Sequence, residues 1–107
     1  MVAVDRAMIV MHATLPIDPD DREAALELVR DLAESSREED GVVDYRVATD
    51  AEDPDTVRVF EQYEDDDAVD AHMSSDHFRS FQNEIGSHLA GEPTLYRFDV
   101  ESKTQVM

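Results

Sequence analysis

The sequence predicts an α+β domain of the ferredoxin-like type, in which helices cover one face of an antiparallel sheet. Three observations support this fold class. The 107 residues suffice for a single domain. Apolar residues recur at strand and helix periods in the order βαββαβ, which is the split-βαβ arrangement. No repeat or low-complexity segment interrupts that order. We therefore expect one domain over residues 1–107, with a core over 8–100 and a polar tail over 101–107.

The first strand and the first helix are predicted from the N-terminal third of the chain. "AMIVMHATLPI" alternates, with Ile9 and Met11 on one side and His12 on the other. "DPDDREAALELVRDLAESSREEDG" then has Asp18 as a helix N-cap and Pro19 at the first helical position. Its apolar residues form one stripe, and Gly41 is expected to end the helix.

The remaining elements follow the same two periods. "VVDYRVAT" and "TVRVFEQYE" predict two strands joined by the turn-rich "DAEDPD". Two helical segments, "DDDAVDAHM" and "SSDHFRSFQNEIGSHLAG", come next, and the second carries Phe78, Phe81 and Ile85 on one stripe. The alternating "PTLYRFDV" predicts the last strand, after which "ESKTQVM" is polar and could be loose.

Both faces of the predicted sheet carry apolar residues. The first strand is apolar on both sides, and Phe60 points away from Val59 and Glu61. An antiparallel sheet with one bare face alternates more cleanly, and helices can cover only one face. We therefore predict a homodimer in which a second copy covers the other face. His12 would lie either at that contact or in the pocket.

The charge balance restricts the partners of the protein. The chain has 27 acidic and 9 basic residues, a net charge of −18, so it should repel nucleic acid and anionic membranes. Because the acids are spread along the chain, they are typical of a solvated surface in the salt-rich cytoplasm of a halophile; docking of a basic partner is the rival interpretation. No cysteine is present, which excludes thiol nucleophiles, disulfides and thiolate metal sites.

Several segments together resemble the antibiotic biosynthesis monooxygenase family of dimeric α/β-barrel proteins. The similarity is strongest in "DREAALELVRDLAESSREEDGVVDYRV", "VFEQYED" and "AVDAHMSSDHFRSF". The matching positions are Gly41, Tyr45, Glu61, Tyr63, His72, Ser75, His77 and Phe78. The resemblance implies oxidation of a small electron-rich aromatic or quinol by O2, without metal, flavin or other cofactor. In that chemistry a phenol is deprotonated, its carbanion reduces oxygen, and the radical pair recombines.

Candidate site residues lie in the third strand and the helices after it. His72 and Tyr63 are the predicted catalytic residues, which would orient and deprotonate the substrate. The predicted substrate-binding residues are Gln82 and His77 as polar wall, Phe78 and Phe81 as ring contacts, and Glu61 on the same strand face as Tyr63. Most of these residues have an ordinary alternative role. His72 could be a structural histidine, His77 a solvent-facing residue at a helix start, and Tyr63, Phe78 and Phe81 core aromatics. Glu61 could be a carboxylate that holds a helix start. Glu61 could also be a general base, because a carboxylate on an apolar face has a raised pKa.

The sequence does not predict a metal site. His72 and His77 are five residues apart, so on one continuous helix they would diverge, although the Ser74–Ser75 break leaves their geometry open. Haem degradation is disfavoured as well. That branch of the family pairs Trp at the position of Tyr63 with a histidine near the position of Gln82, and this chain has neither residue there.

Two other functions stay open at this level. A branch of the family that isomerises a phosphorylated signalling sugar carries Tyr at the position of Tyr63. Against that branch, a phosphate needs basic side chains, and this chain has few. The third possibility is a non-catalytic module that only binds a small aromatic ligand. Oxygen uptake separates the first function from the other two, and turnover separates the isomerase from the module.

Overall fold

A computed structural model describes the backbone of residues 4–107 and the side chains from residue 7 onward. The strands are β1 (Val4–Pro16), β2 (Val42–Asp50), β3 (Asp53–Tyr63) and β4 (Thr94–Thr104), and the helices are α1 (Arg22–Arg37), α2 (Asp66–Met73) and α3 (Asp76–Ile85). The strands form one antiparallel sheet in the order β2-β3-β1-β4, as the predicted ferredoxin-like fold requires. Within the described residues, no helix is both long and apolar enough to cross a membrane.

The last strand is longer than the sequence predicts. β4 continues through Thr104 because its backbone pairs with the start of β1, with Thr104 opposite Val4 and Lys103 opposite Asp5. Residues 101–104 of the expected polar tail therefore belong to the sheet. The hydrophobic pattern could not show this, because an exposed edge strand needs backbone partners rather than apolar side chains.

Polar side chains fix where the helices begin. Asp18 accepts a hydrogen bond from the Asp20 amide at 3.0 Å, which caps a single 3₁₀ turn at Pro19–Asp21 before α1. Asp65 accepts from the Ala68 amide at 2.9 Å at the start of α2. Ser75 accepts from the Phe78 amide at 3.3 Å at the start of α3. The cap at Ser75 ends any continuity between α2 and α3.

The main core lies between the sheet and the helices. Side chains of β1 and β3 that pair across the sheet share this face, for example Leu15 with Val57 and Met11 with Glu61. α1 buries Val29 and Leu32 against them. A second cluster of buried side chains forms where α2 meets the other end of the same strands. The carboxyl group of Glu61 therefore lies on an otherwise apolar face.

The opposite face of the sheet is open and aromatic. His12 pairs with Phe60 on one side and with Tyr96 on the other, so the three lie side by side across β3, β1 and β4. Phe60 is 39% exposed, Tyr96 61% and Phe98 52%. The prediction that Phe60 points away from Val59 is confirmed, and His12 lies on this open face.

Gly41, which directly precedes β2, lies too close to α2 for any larger residue. A Cβ atom at Gly41 would lie 2.3 Å from the Cβ of Ala68, whereas one at Gly86 would meet nothing within 4 Å. We predict that Gly41→Ala lowers the free energy of unfolding by about 1–3 kcal/mol through overpacking. Urea unfolding should show this loss, while Gly86→Ala serves as the control and should change stability by less than about 1 kcal/mol. Equal stability of the two variants would contradict the close packing of Gly41 on α2.

Candidate functional site

An apolar cavity of about 370 Å³ lies between the sheet and α3. Its walls include Leu15 and Val59 from the sheet, and Phe78, Phe81 and Ile85 from α3. A larger depression of about 580 Å³, between α1 and the end of α3, is open and lined by acids such as Glu27 and Glu84. The smaller cavity is the better candidate site, because binding sites for small molecules are concave and mostly apolar with a few placed polar groups.

Glu61 contributes a carboxylate to the wall of the cavity. The side chain is only 5% exposed, and its Oε1 accepts a hydrogen bond from the Tyr63 hydroxyl at 2.5 Å. Burial raises the pKa of the Glu61 carboxyl group, while the Tyr63 hydrogen bond and the nearby His72 oppose that rise. The Tyr63 hydrogen bond thus fixes the orientation of the Glu61 carboxylate, and its raised pKa makes it more basic than an ordinary carboxylate.

His72 lies fully buried behind the cavity wall. Its Nδ1 is 2.9 Å from Oε2 of Glu39. Its ring centroid is 4.9 Å from that of Phe78, 5.4 Å from that of Tyr45 and 5.6 Å from that of Tyr63. Among residues 4–107, Nε2 of His72 has no hydrogen-bond partner. The imidazole is therefore the centre of an aromatic cluster that supports the cavity.

Glu39 joins the two histidines of the predicted site. Its Oε2 is 2.7 Å from Nε2 of His77 as well as 2.9 Å from Nδ1 of His72. The histidines do not diverge, because the chain turns at Ser74–Ser75 and places them on separate helices with ring centroids 6.1 Å apart. The spacing argument for a continuous helix does not apply to this pair.

The predicted site residues separate into two sets. Glu61, Phe78, Phe81 and Gln82 line the cavity. Gln82 does so from an exposed position on α3. The other set, Tyr63, His72 and His77, does not line it. Tyr63 nevertheless touches a residue that does line the cavity, because its hydroxyl donates to Glu61.

Two residues near the site were not singled out from the sequence. Glu39 lies in the turn after α1, far from both histidines along the chain, so no local pattern marks it. Tyr45 was noted only as a matching aromatic, yet it is 2% exposed and lines the cavity. Burial and the nearby Glu61 raise the pKa of the Tyr45 phenol, so it stays neutral and can donate a hydrogen bond.

Comparisons with known proteins agree with the fold and with one family. The sequence profile of the antibiotic biosynthesis monooxygenase family matches residues 8–84, which is well over half of the chain. A crystal structure of an antibiotic biosynthesis monooxygenase is 27% identical, with a TM-score of 0.81, covering 86% of this chain and 97% of its own. No protein of curated function matches the chain.

Two bacterial structures show the same fold at similar identity. A Caulobacter crescentus protein assigned to the antibiotic biosynthesis monooxygenases is 26% identical, with a TM-score of 0.84, covering 89% of this chain and 91% of its own. A Pseudomonas aeruginosa protein is 25% identical, with a TM-score of 0.79, covering 89% of this chain and 94% of its own. The similarity therefore extends over nearly the whole length of each protein.

Proposed function

The chain belongs to the antibiotic biosynthesis monooxygenase family, and we propose that it oxidises a small electron-rich aromatic or quinol with O2 without a cofactor. The observation that carries this proposal is the Glu61 carboxylate, which is held by Tyr63 in the wall of an otherwise apolar cavity. An apolar cavity suits aromatic rings, and a carboxylate of raised pKa suits removal of a proton from a hydroxyl or CH2 group attached to them.

The proposed reaction begins with proton transfer from the substrate to Glu61. The resulting carbanion passes one electron to O2, and the radical pair combines to a peroxide anion on the same carbon. This anion takes the proton back from Glu61 and becomes a hydroperoxide. For a CH2 group flanked by aromatic rings, loss of one water from the hydroperoxide leaves a carbonyl. One oxygen atom of O2 then enters the product and the other leaves as water, so the substrate is the only reductant that the reaction needs.

Neighbouring groups would serve distinct roles in this reaction. Phe78 and Phe81 lie where substrate rings would stack. The Gln82 amide at the rim and the neutral Tyr45 phenol are the donors available for the developing anion. Tyr63 and His72 are positioning residues in this scheme, because they touch Glu61 or the wall rather than the cavity.

An isomerase acting on a phosphorylated sugar is less well supported. No arginine, lysine or histidine from the described part of the chain lines the cavity. A phosphate group would therefore meet a carboxylate and apolar rings, without the charge-assisted hydrogen bonds that it requires. A non-catalytic binding module would use the same cavity, and only the presence or absence of substrate turnover distinguishes it from the oxygenase.

Oxygen consumption with a panel of reduced quinols and anthrones tests the proposed function. The assay should contain molar salt, because the acidic surface suits a salt-rich medium in which charge repulsion is screened within about 3 Å. A chelator should be present, and a protein-free blank corrects for autoxidation. Uptake above the blank is expected for at least one substrate. Substrate conversion without oxygen uptake would identify an isomerase, and ligand binding without turnover would identify a binding module.

We further propose that the open aromatic face carries a second copy of this chain. Phe60 of β3 and Tyr96 and Phe98 of β4 form an exposed patch on either side of His12 in β1, and an exposed apolar patch of this kind marks an interaction surface. The patch lies on the sheet face away from the helices, so sheet-to-sheet packing of two copies would cover both at once.

Phe60→Asp is predicted to convert the dimer into a monomer. The substitution places a negative charge near the centre of an apolar contact between two chains that each already carry a net charge of −18. Sedimentation velocity in molar salt at micromolar concentration measures the change. Val106→Asp, which alters an exposed apolar residue near the C-terminus, is the control and should remain dimeric. A monomeric wild-type protein under these conditions would refute the proposed interface.

A further inference from the structure

We propose that Glu39, His72 and His77 bind one divalent transition-metal ion of the zinc class. One ligand atom from each residue lies within 4.8 Å of the others. The three residues come from different elements, namely the turn after α1, the end of α2 and the start of α3. Two imidazoles and one carboxylate are a donor set that suits Zn²⁺, Co²⁺ and neighbouring ions.

The distances from Glu39 to the two imidazoles are close to those between ligand atoms around a bound ion. Metal–ligand bonds of about 2.1 Å place neighbouring ligand atoms about 3.0–3.4 Å apart in octahedral or tetrahedral geometry. Oε2 of Glu39 is 2.9 Å from Nδ1 of His72 and 2.7 Å from Nε2 of His77. Side-chain rotations that bring the three ligand atoms, now within 4.8 Å of one another, to these separations would admit an ion.

The carboxylate of Glu39 supports an ion over a simple hydrogen-bonded cluster. Both imidazoles approach the same oxygen, Oε2, while the buried Oε1 has no hydrogen-bond partner among residues 4–107. A carboxylate that only accepts hydrogen bonds would gain by sharing the two donors between its oxygens, because a buried polar atom without a partner is costly. An ion bound by both oxygens would satisfy Oε1 as well.

One side of the cluster faces solvent, because the His77 side chain is 29% exposed. His77 lines a surface depression of about 270 Å³ between α1 and α3, whose wall also includes Asp31 and Glu84. The net charge of −18 raises the local concentration of divalent cations at such a surface. On the other side, the His72 ring packs on Phe78, a cavity wall residue. A bound ion would thus fix α2 and α3 as walls of the candidate site.

Titration of metal-free protein with Zn²⁺ and Co²⁺ tests this site without reference to activity. We expect binding of one ion per chain by calorimetry, and a rise in Tm of about 5 °C or more when the ion is a hundredfold above its Kd. Co²⁺ should also acquire a visible absorption spectrum typical of imidazole ligands. His77→Ala should weaken binding by at least about 10-fold and alter that spectrum, since His77 is a direct ligand.

Two controls keep the proposal falsifiable. His88→Ala removes another histidine that lies beside a carboxylate, with Nδ1 3.6 Å from Asp21, and should leave binding unchanged. Mg²⁺ measures non-specific attraction to surface acids and should give no comparable rise in Tm. The proposal is overturned if His77→Ala binds Zn²⁺ as tightly as the wild type, if His88→Ala loses as much affinity, or if Mg²⁺ stabilises the protein equally. Glu39→Gln provides a second ligand variant should His77→Ala fail to fold.

Discussion

Glu61→Gln is expected to lower kcat/KM by about 10²–10⁴-fold, which is the usual contribution of a general base. The substitution keeps an oxygen that can accept the Tyr63 hydrogen bond, so the geometry of the cavity should persist. The same change should not destabilise the protein at neutral pH, because it removes a buried carboxylate whose ionisation opposes folding. Steady-state oxygen uptake and thermal unfolding measure the two effects.

The pH dependence of stability gives an independent check on Glu61. The pKa of Glu61 is raised in the folded state, so the folded protein holds this proton more tightly than the unfolded chain. Its contribution to stability is complete below the ordinary carboxylate pKa and is lost as pH rises through the raised pKa. Glu61→Gln should therefore gain in Tm relative to the wild type as pH rises through that range. Glu64→Gln, at an exposed position nearby, is the matched control and should show neither effect. Full activity of Glu61→Gln would remove Glu61 from the mechanism.

His72→Ala is expected to lower the free energy of unfolding by about 3 kcal/mol. The imidazole is 0% exposed and packs on the rings of Tyr45, Tyr63 and Phe78, so its removal leaves a cavity in the core. It also removes one of the two imidazoles that contact Glu39. For a domain of this size, Tm should fall by roughly 10 °C or more. Chemical unfolding in molar salt, with chelator present, gives the free energy directly.

Two comparison variants separate packing from hydrogen bonding at His72. His88→Ala alters a partly exposed histidine and should change stability by less than about 1 kcal/mol. His72→Asn places an amide near the position of Nδ1, so it should recover part of the Glu39 contact while the lost ring volume persists. A loss below about 1 kcal/mol for His72→Ala would contradict the buried position of the ring.

The order of elements could be predicted because each segment carries its own hydrophobic period and its own cap. Asp18 accepts the backbone hydrogen bond predicted for it, and Asp65 and Ser75 cap α2 and α3 in the same way. The extension of β4 through Thr104 could not be predicted, since it depends on backbone pairing with residues near the other end of the chain. Gly41 was expected to end the first helix, but α1 ends at Arg37, and Gly41 instead makes a tertiary contact with Ala68.

The sequence predicts residues of the cavity wall but not the contacts among the residues packed behind it. Phe78, Phe81 and Gln82 follow one helical stripe, and the structure places all three at the cavity. The position of His72 behind that wall depends on the turn at Ser74–Ser75, and Glu39 reaches both histidines from a distant turn. Contacts between residues far apart in the sequence leave no periodic signal, so the cluster of Glu39, His72 and His77 became visible only in three dimensions.

The most direct test of monooxygenase chemistry is mass spectrometry of the product formed under ¹⁸O2, with chelator present and with Glu61→Gln run in parallel. The proposed reaction predicts one labelled oxygen atom in each product molecule, at a rate that falls with Glu61→Gln. An unlabelled product that forms as fast with Glu61→Gln as with the wild type would contradict oxygen insertion at this cavity.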